Sequence, residues 1–265
     1  MKKFSFIFAI ATFLLLSISQ TSCVKQEDPI APQLPPEESF IMNFNGFEDT
    51  DTTKSFTNWF FAATNVVYWN IAINVTFAVP VASFREAFNH EAIFQGDNTW
   101  KWIYSVTVDG ITYTAELVGK ELSEEEVQWD MYVSQQNGFT DFHWYSGIVK
   151  TDHTAAQWTL YKNIAGVVNA EAIAIDYSKD LTLGTEQISY TNIEENSNSN
   201  GAYISYGSQN EDFNVFYNIY SKVLDNLTEI EASTSTEAGR VKDPNRFGDD
   251  EWHCWNRFKL NTHCE

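Results

Sequence analysis

Two hydrophobic patterns divide the chain. From Ser55 to Phe84 thirty consecutive residues carry no charge, SFTNWFFAATNVVYWNIAINVTFAVPVASF. Asn58, Asn65, Asn70 and Asn74 fall close to one helical stripe, while Trp59, Phe60, Ala63, Val66, Val67, Ile73 and Phe77 fill the complementary positions. The spacing predicts a helix over about 55–78 and a shorter one from Val81 to His90 after Pro80. A helix apolar on nearly every side implies burial on most of them. A membrane-active segment is the alternative. Against it, Asn and Thr interrupt the run every few residues, Pro80 breaks it, and only Lys54 and Arg85 flank it.

From Thr99 the period changes to two. Trp100, Trp102, Tyr104, Val106 and Val108 share one face of a strand, with Lys101, Ser105 and Thr107 on the other. Asp109-Gly110 is a preferred hairpin turn, and Tyr113, Ala115 and Leu117 return after it. Glu124-Glu125-Glu126 marks a solvated turn before Val127, Trp129, Met131 and Val133, and Asn137-Gly138 marks the next. Further strands are predicted around 142–145, 157–162, 170–177, 187–193, 202–206, 213–220 and 227–232. The fold class expected is α+β, mainly β: about ten strands in a curled antiparallel meander or partly closed barrel, packed around the N-terminal apolar helix. The polar run 194–201 (EENSNSNG) is an exposed tip, so residues 39–265 are expected to form a single domain.

Charge narrows the partners. With 16 Lys+Arg against 36 Asp+Glu the net charge is −20, which repels phosphate backbones and argues against nucleic acid and against a basic lipid-docking patch. The 43% hydrophobic and 15% aromatic content excludes a disordered chain. Residues 1–22 have the build of an export signal: Lys2 and Lys3, an apolar run from Phe4 to Leu16, then small and polar residues up to Cys23. A cysteine directly after such a segment resembles a bacterial lipoprotein signal, in which that cysteine is acylated and becomes the new N-terminus. Gln20 departs from the aliphatic residue such signals favour. Cleavage there removes Lys2 and Lys3 and no acid, leaving −22. Residues 23–38, with Pro29, Pro32, Pro35 and Pro36 among Glu and Gln, are expected to form an extended acidic tether. The lysine followed by acids just after Cys23 resembles a surface-export tag of some Gram-negative lipoproteins.

Candidate chemistry is sparse. His253-Cys254 and His263-Cys264 offer four zinc-ligand types, but adjacent residues of an extended segment point to opposite faces. In an exported chain Cys254 and Cys264 are better read as a disulfide. No Gly-x-Ser-x-Gly or His-Glu-x-x-His motif occurs, no catalytic, cofactor-binding or metal-binding residue is assigned, and no cofactor is expected. Glu116 and Asp130, on the polar face of predicted strands, are the acids that a glycan-acting hydrolase would draw on. Trp100, Trp102, Trp129 and Trp144, among many strand aromatics, are candidates to face a ligand, with core packing as the plainer account. Trp144 and Tyr145 are consecutive, so strict alternation would put aromatics on both faces.

The segments Phe77–Ala82, Asp97–Trp100, Tyr113–Ala115, Gly239–Pro244, Phe247–Asp249 and Trp252–Trp255 resemble uncharacterised bacterial outer-membrane lipoproteins. That resemblance implies no activity and carries no functional residue. A helix against a curled sheet is similar in architecture to LolA and lipocalin-like carriers, from which function does not follow. The expectation is a non-enzymatic binding or envelope-partner module. It would be held at the bacterial outer membrane by lipid, periplasm-facing or surface-exposed, with a small molecule, glycan or envelope protein as partner.

Overall fold

Among the described residues the period-two pattern folds as fourteen strands that pair in sequence order, every pairing antiparallel. They are β1 (Ile93–Gly96), β2 (Thr99–Val108), β3 (Ile111–Glu121), β4 (Glu126–Gln135), β5 (Phe142–Lys150), β6 (Ala155–Ile164) and β7 (Val167–Asp180). The second half holds β8 (Thr185–Asn192), β9 (Tyr203–Ser208), β10 (Val215–Ser221), β11 (Asn226–Ala232), β12 (Gly239–Lys242), β13 (His253–Trp255) and β14 (Asn261–Thr262). A helix, α1 (Asn58–Ala87), precedes them, and a short one, α2 (Pro244–Phe247), lies between β12 and β13. The structure is a computed structural model that describes residues 29–44, 47, 56–164 and 167–264. The class is mainly β with helices, as expected. The sheet is open rather than a barrel, because β1 and β14 each have a single neighbour. The strands beyond the ten expected are β1, β12, β13 and β14, of two to four residues, too short to show a period. Asp109 (φ 50°) and Gly110 (φ 78°) make the predicted two-residue turn, both left-handed as its geometry requires.

Helix α1 crosses the inner face of this sheet. Near its start the Asn58 amide nitrogen donates to the Cys254 carbonyl of β13 (3.0 Å). Near its end the Ser83 carbonyl accepts from the Tyr104 hydroxyl of β2 (2.6 Å). One helix touches both ends of the meander, so the strands curl around it. The helix is broken at Phe77: its two halves, Asn58–Ile73 and Phe77–Ala87, meet at an angle of 74°. The expected break at Pro80 lies instead one turn earlier, because proline removes the hydrogen bond to the carbonyl four residues before it and clashes with that carbonyl. No single helix among the described residues is long and apolar enough to cross a membrane. Trp59, Ala63, Val66, Ile73, Phe77 and Phe84 are buried against the sheet, as in a core helix.

A second element shares that inner face. The proline-rich stretch has no regular structure until a single 3-10 turn, Glu37–Ser39, in which the Ser39 N–H donates to the Pro36 carbonyl (3.0 Å). Residues 29–44 run across the strands as a strap instead of standing off them. Its carbonyls meet the polar tips of buried aromatics in order. Trp100 Nε1 donates to the Pro29 oxygen (3.3 Å), and Trp158 Nε1 to the Ser39 oxygen (2.9 Å). The Tyr190 hydroxyl donates to the Phe40 oxygen (2.8 Å) and accepts from the Met42 N–H (2.9 Å), and the Tyr217 hydroxyl donates to the Asn43 oxygen (2.9 Å). Its own Pro35, Phe40 and Met42 are buried, as is Phe47. An irregular backbone can lie in a core only if its carbonyls find donors. Indole N–H and phenol O–H groups supply them while their rings fill the core. Trp100, Trp158, Tyr190 and Tyr217 are placed in this way.

The rings also cover glycines. Gly119, Gly147, Gly207 and Gly239 stand directly opposite Trp129, Trp158, Phe216 and Trp255 on the neighbouring strand. A Cβ at any of the four would lie under 3.0 Å from the facing ring. The smallest residue makes room for the largest, an across-strand pairing that protects glycine in a strand.

One core aromatic is not matched in this way. The hydroxyl of Tyr145, fully buried, has no hydrogen-bond partner among the described residues. Burial, then the nearby Tyr104 and Asp130, holds its ionisation well above the ordinary phenol value of 10.0. An unpaired buried hydroxyl opposes folding. Tyr145→Phe is therefore expected to leave stability unchanged or raise it by about 1 kcal/mol, read as the midpoint of urea unfolding. A loss beyond 1 kcal/mol would show a partner for this group.

Candidate ligand-binding pocket

Between α1 and strands β5–β8 lies a partly open pocket of about 400 Å³. From the helix come Trp69, Ala72, Ile73 and, at the bend itself, Phe77, whose φ of −114° and ψ of 16° are not helical. The bend thus turns the second half of the helix at the pocket wall. The opposite wall is made by Phe139, Phe142 and Trp144. Their ring centroids lie 5.3 to 5.8 Å apart at interplanar angles of 67 to 74°. Tyr161, Ala172 and Ile173 complete the apolar lining.

The local backbone explains how β5 contributes so many rings. Met131 pairs with Tyr145 and Tyr132 with His143, so Trp144 is the extra residue of a bulge. A bulge breaks alternation and re-aims the side chain. That resolves the adjacent aromatics: Tyr145 stays in the core and Trp144 turns to the pocket. A second bulge, where Leu160 pairs with Ile173 and Tyr161 with Glu171, brings Ala172 into the same lining.

The charged lining consists of Lys162 and Glu194, which form an ion pair at the rim. The Glu194 backbone is held by a turn: its N–H donates to Asn192 Oδ1 (2.9 Å) and its carbonyl accepts from Asn200 Nδ2 (2.8 Å). The Tyr161 phenol is raised above 10.0 by burial, then by the carboxylates of Glu171 and Asp130. An apolar cavity of this size with a few polar groups at one side has the build of a small-molecule site.

The candidate residues are distributed unevenly. Trp144 lines the pocket. Trp100, Trp102 and Trp129 are 2%, 3% and 1% exposed and belong to the core, where Trp102 and Trp129 pack at 5.5 Å. Glu116 and Asp130 lie on the outer face of the sheet. Glu116 stands opposite Tyr132, which makes Asp130 its diagonal neighbour. Lys101 Nζ donates to Glu116 (2.6 Å), and Asp130 is bonded to His143 Nε2 (2.9 Å). The His143 ring stacks on Tyr132 at 4.7 Å and tilts against Tyr161 at 4.9 Å. Both acids are thus engaged by a cation or an imidazole. A second, open groove of about 420 Å³ on that face is lined by Glu126, Lys150, Gln157, Asp176 and their neighbours, and includes neither acid.

At the C-terminus Cys254 and Cys264 form a disulfide, which closes the β13–β14 hairpin beside the start of α1. A loop of this size contributes about 3 kcal/mol in the chain-entropy account. His253 stacks on Phe247 at 3.7 Å and bonds Asp249 (2.9 Å). Among the described residues no group of three or more His, Cys, Asp or Glu is arranged to hold a metal ion. The signal-like residues 1–22 and Cys23 lie outside the described residues.

Sequence reasoning missed Trp69, Phe139, Phe142, Lys162 and Glu194 as site residues. Its one available signal was the break in alternation at Trp144-Tyr145. No protein-family model matches the chain, and no curated protein or solved structure does.

Proposed function

We propose that this chain is a non-enzymatic binding module of the bacterial cell envelope, anchored at the outer membrane by lipid on Cys23, whose small-molecule ligand occupies the pocket between α1 and β5–β8. The observation that carries the binding part is a partly open, aromatic-walled pocket of about 400 Å³. The envelope part rests on the signal-like residues 1–22 followed by Cys23, and a disulfide suits an oxidising compartment. Glycan hydrolysis through Glu116 and Asp130 is the second reading. It has less support, since each acid is already paired and neither lines the pocket.

The test is titration with the fluorescent apolar probe N-phenylnaphthylamine. We expect one probe per chain, with a rise in melting temperature that grows with probe concentration. Ala72→Trp, which fills the pocket from the helix side, should weaken binding about tenfold or more while the unliganded melting temperature stays near that of the parent. Equal binding by the filled variant would place the probe elsewhere and sink the proposal. The anchor is tested separately. Cys23→Ala, expressed in a Gram-negative host, should move the chain from the membrane fraction to the soluble periplasmic fraction. Unchanged membrane retention would refute lipidation at that residue.

A further inference from the structure

We propose that the pocket is selective for an organic cation, a quaternary ammonium group on a compact apolar body. The proposal rests on the reading of this pocket as a ligand site. Phe139, Phe142 and Trp144 meet at 67 to 74°, so they form a corner rather than a shelf, and Trp69 and Phe77 stand across from them. Aromatic faces carry negative charge density, and a rounded cation in such a corner touches several rings from different sides. A flat neutral ligand would gain from one ring at a time.

The charges at the rim point the same way. Lys162 and Glu194 neutralise each other. The next charge along the strand pair is acidic: Glu171 stands opposite Tyr161, and Glu195 follows Glu194 in the chain. A net charge of −20 adds a weak, salt-screened attraction of the same sign. An anionic ligand would have to take Lys162 from Glu194 and enter this field. A cation can approach Glu194 with the pair intact. A pocket of about 400 Å³ has room for a trimethylammonium group and a short body.

Three compounds of one shape separate the possibilities: choline, neohexanol (its uncharged carbon isostere) and the carboxylate tert-butylacetate. Calorimetric titration of the whole chain with each should give choline about 3- to 30-fold tighter binding than neohexanol, and tert-butylacetate the weakest. Glu194→Gln should bring choline down toward neohexanol without changing neohexanol. Lys162→Met, which removes the competing cation, should tighten choline. Trp144→Leu should reduce the preference for the cation, with the melting temperature of each variant as the check on folding. Neohexanol or tert-butylacetate binding as tightly as choline, or no heat from choline, overturns the proposal. N-phenylnaphthylamine run in parallel keeps the two ideas apart. If it binds and choline has no advantage, cation selectivity fails and the pocket stands. If neither binds, the pocket reading itself fails.

Discussion

Replacing Trp158 by alanine is expected to cost about 3–5 kcal/mol, a large part of the 5–15 kcal/mol that holds an ordinary domain folded. The side chain is 2% exposed, and its ring meets Phe40 at 5.3 Å, Tyr145 at 5.6 Å and Phe84 at 6.1 Å. These neighbours come from the strap, β5 and α1, so one cavity would loosen three elements together. The indole N–H is also the donor that satisfies the Ser39 carbonyl within the core. Trp158→Phe keeps most of the ring but orphans that carbonyl, and should cost less, about 1–3 kcal/mol. Urea unfolding of both variants checks the order. A cost below 1 kcal/mol for the alanine variant would mean that the strap and the sheet do not depend on this contact.

Gly147→Ala should cost about 3 kcal/mol, at the upper end for overpacking, although it adds one methyl group. An added Cβ would lie 2.1 Å from Trp158 Cε3 and 2.7 Å from the Gln157 carbonyl oxygen. The ring is locked by its core neighbours, and the carbonyl belongs to the paired strand, where Ile148 faces Gln157. Neither can yield without disturbing the β5–β6 ladder. In a Trp158→Ala background the ring contact is gone and only the carbonyl contact remains. The methyl should then cost less, with a coupling of about 1–3 kcal/mol between the two changes. Strict additivity would show that the glycine answers to something other than the indole.

Much of this architecture is legible in the chain, and what is not has physical reasons. Alternation from Trp100 onward and the Asp109-Gly110 turn reveal the meander because they are local properties with a fixed period. Strands β12, β13 and β14 are held by their neighbours and by the Cys254–Cys264 bond, and two to four residues give no period to read. The bend in α1 was foreseeable from Pro80, but it falls where the proline ring clashes, one turn upstream. The strap escapes prediction because its hydrogen-bond partners are far off in sequence: Ser39 meets Trp158, and Phe40 meets Tyr190. A proline-rich segment looks solvated until those donors are placed beneath it. The same distance effect governs the glycines, whose need for an opposing ring depends on register. The pocket depends on two bulges, and a bulge shows in sequence only as a misplaced residue. Trp100, Trp102 and Trp129 look as eligible for ligand contact as Trp144, yet regular pairing puts them in the core and a single extra residue puts Trp144 at the pocket.

Hydrogen–deuterium exchange with and without saturating N-phenylnaphthylamine locates the ligand most directly. Slower exchange is predicted over 69–77, 139–144, 161–162 and 171–173, the segments that wall the pocket, with no change over 148–150, 155–157 and 187–189 on the outer groove. Protection confined to the outer groove, or none at saturating probe, would contradict the assignment of the pocket as the binding site.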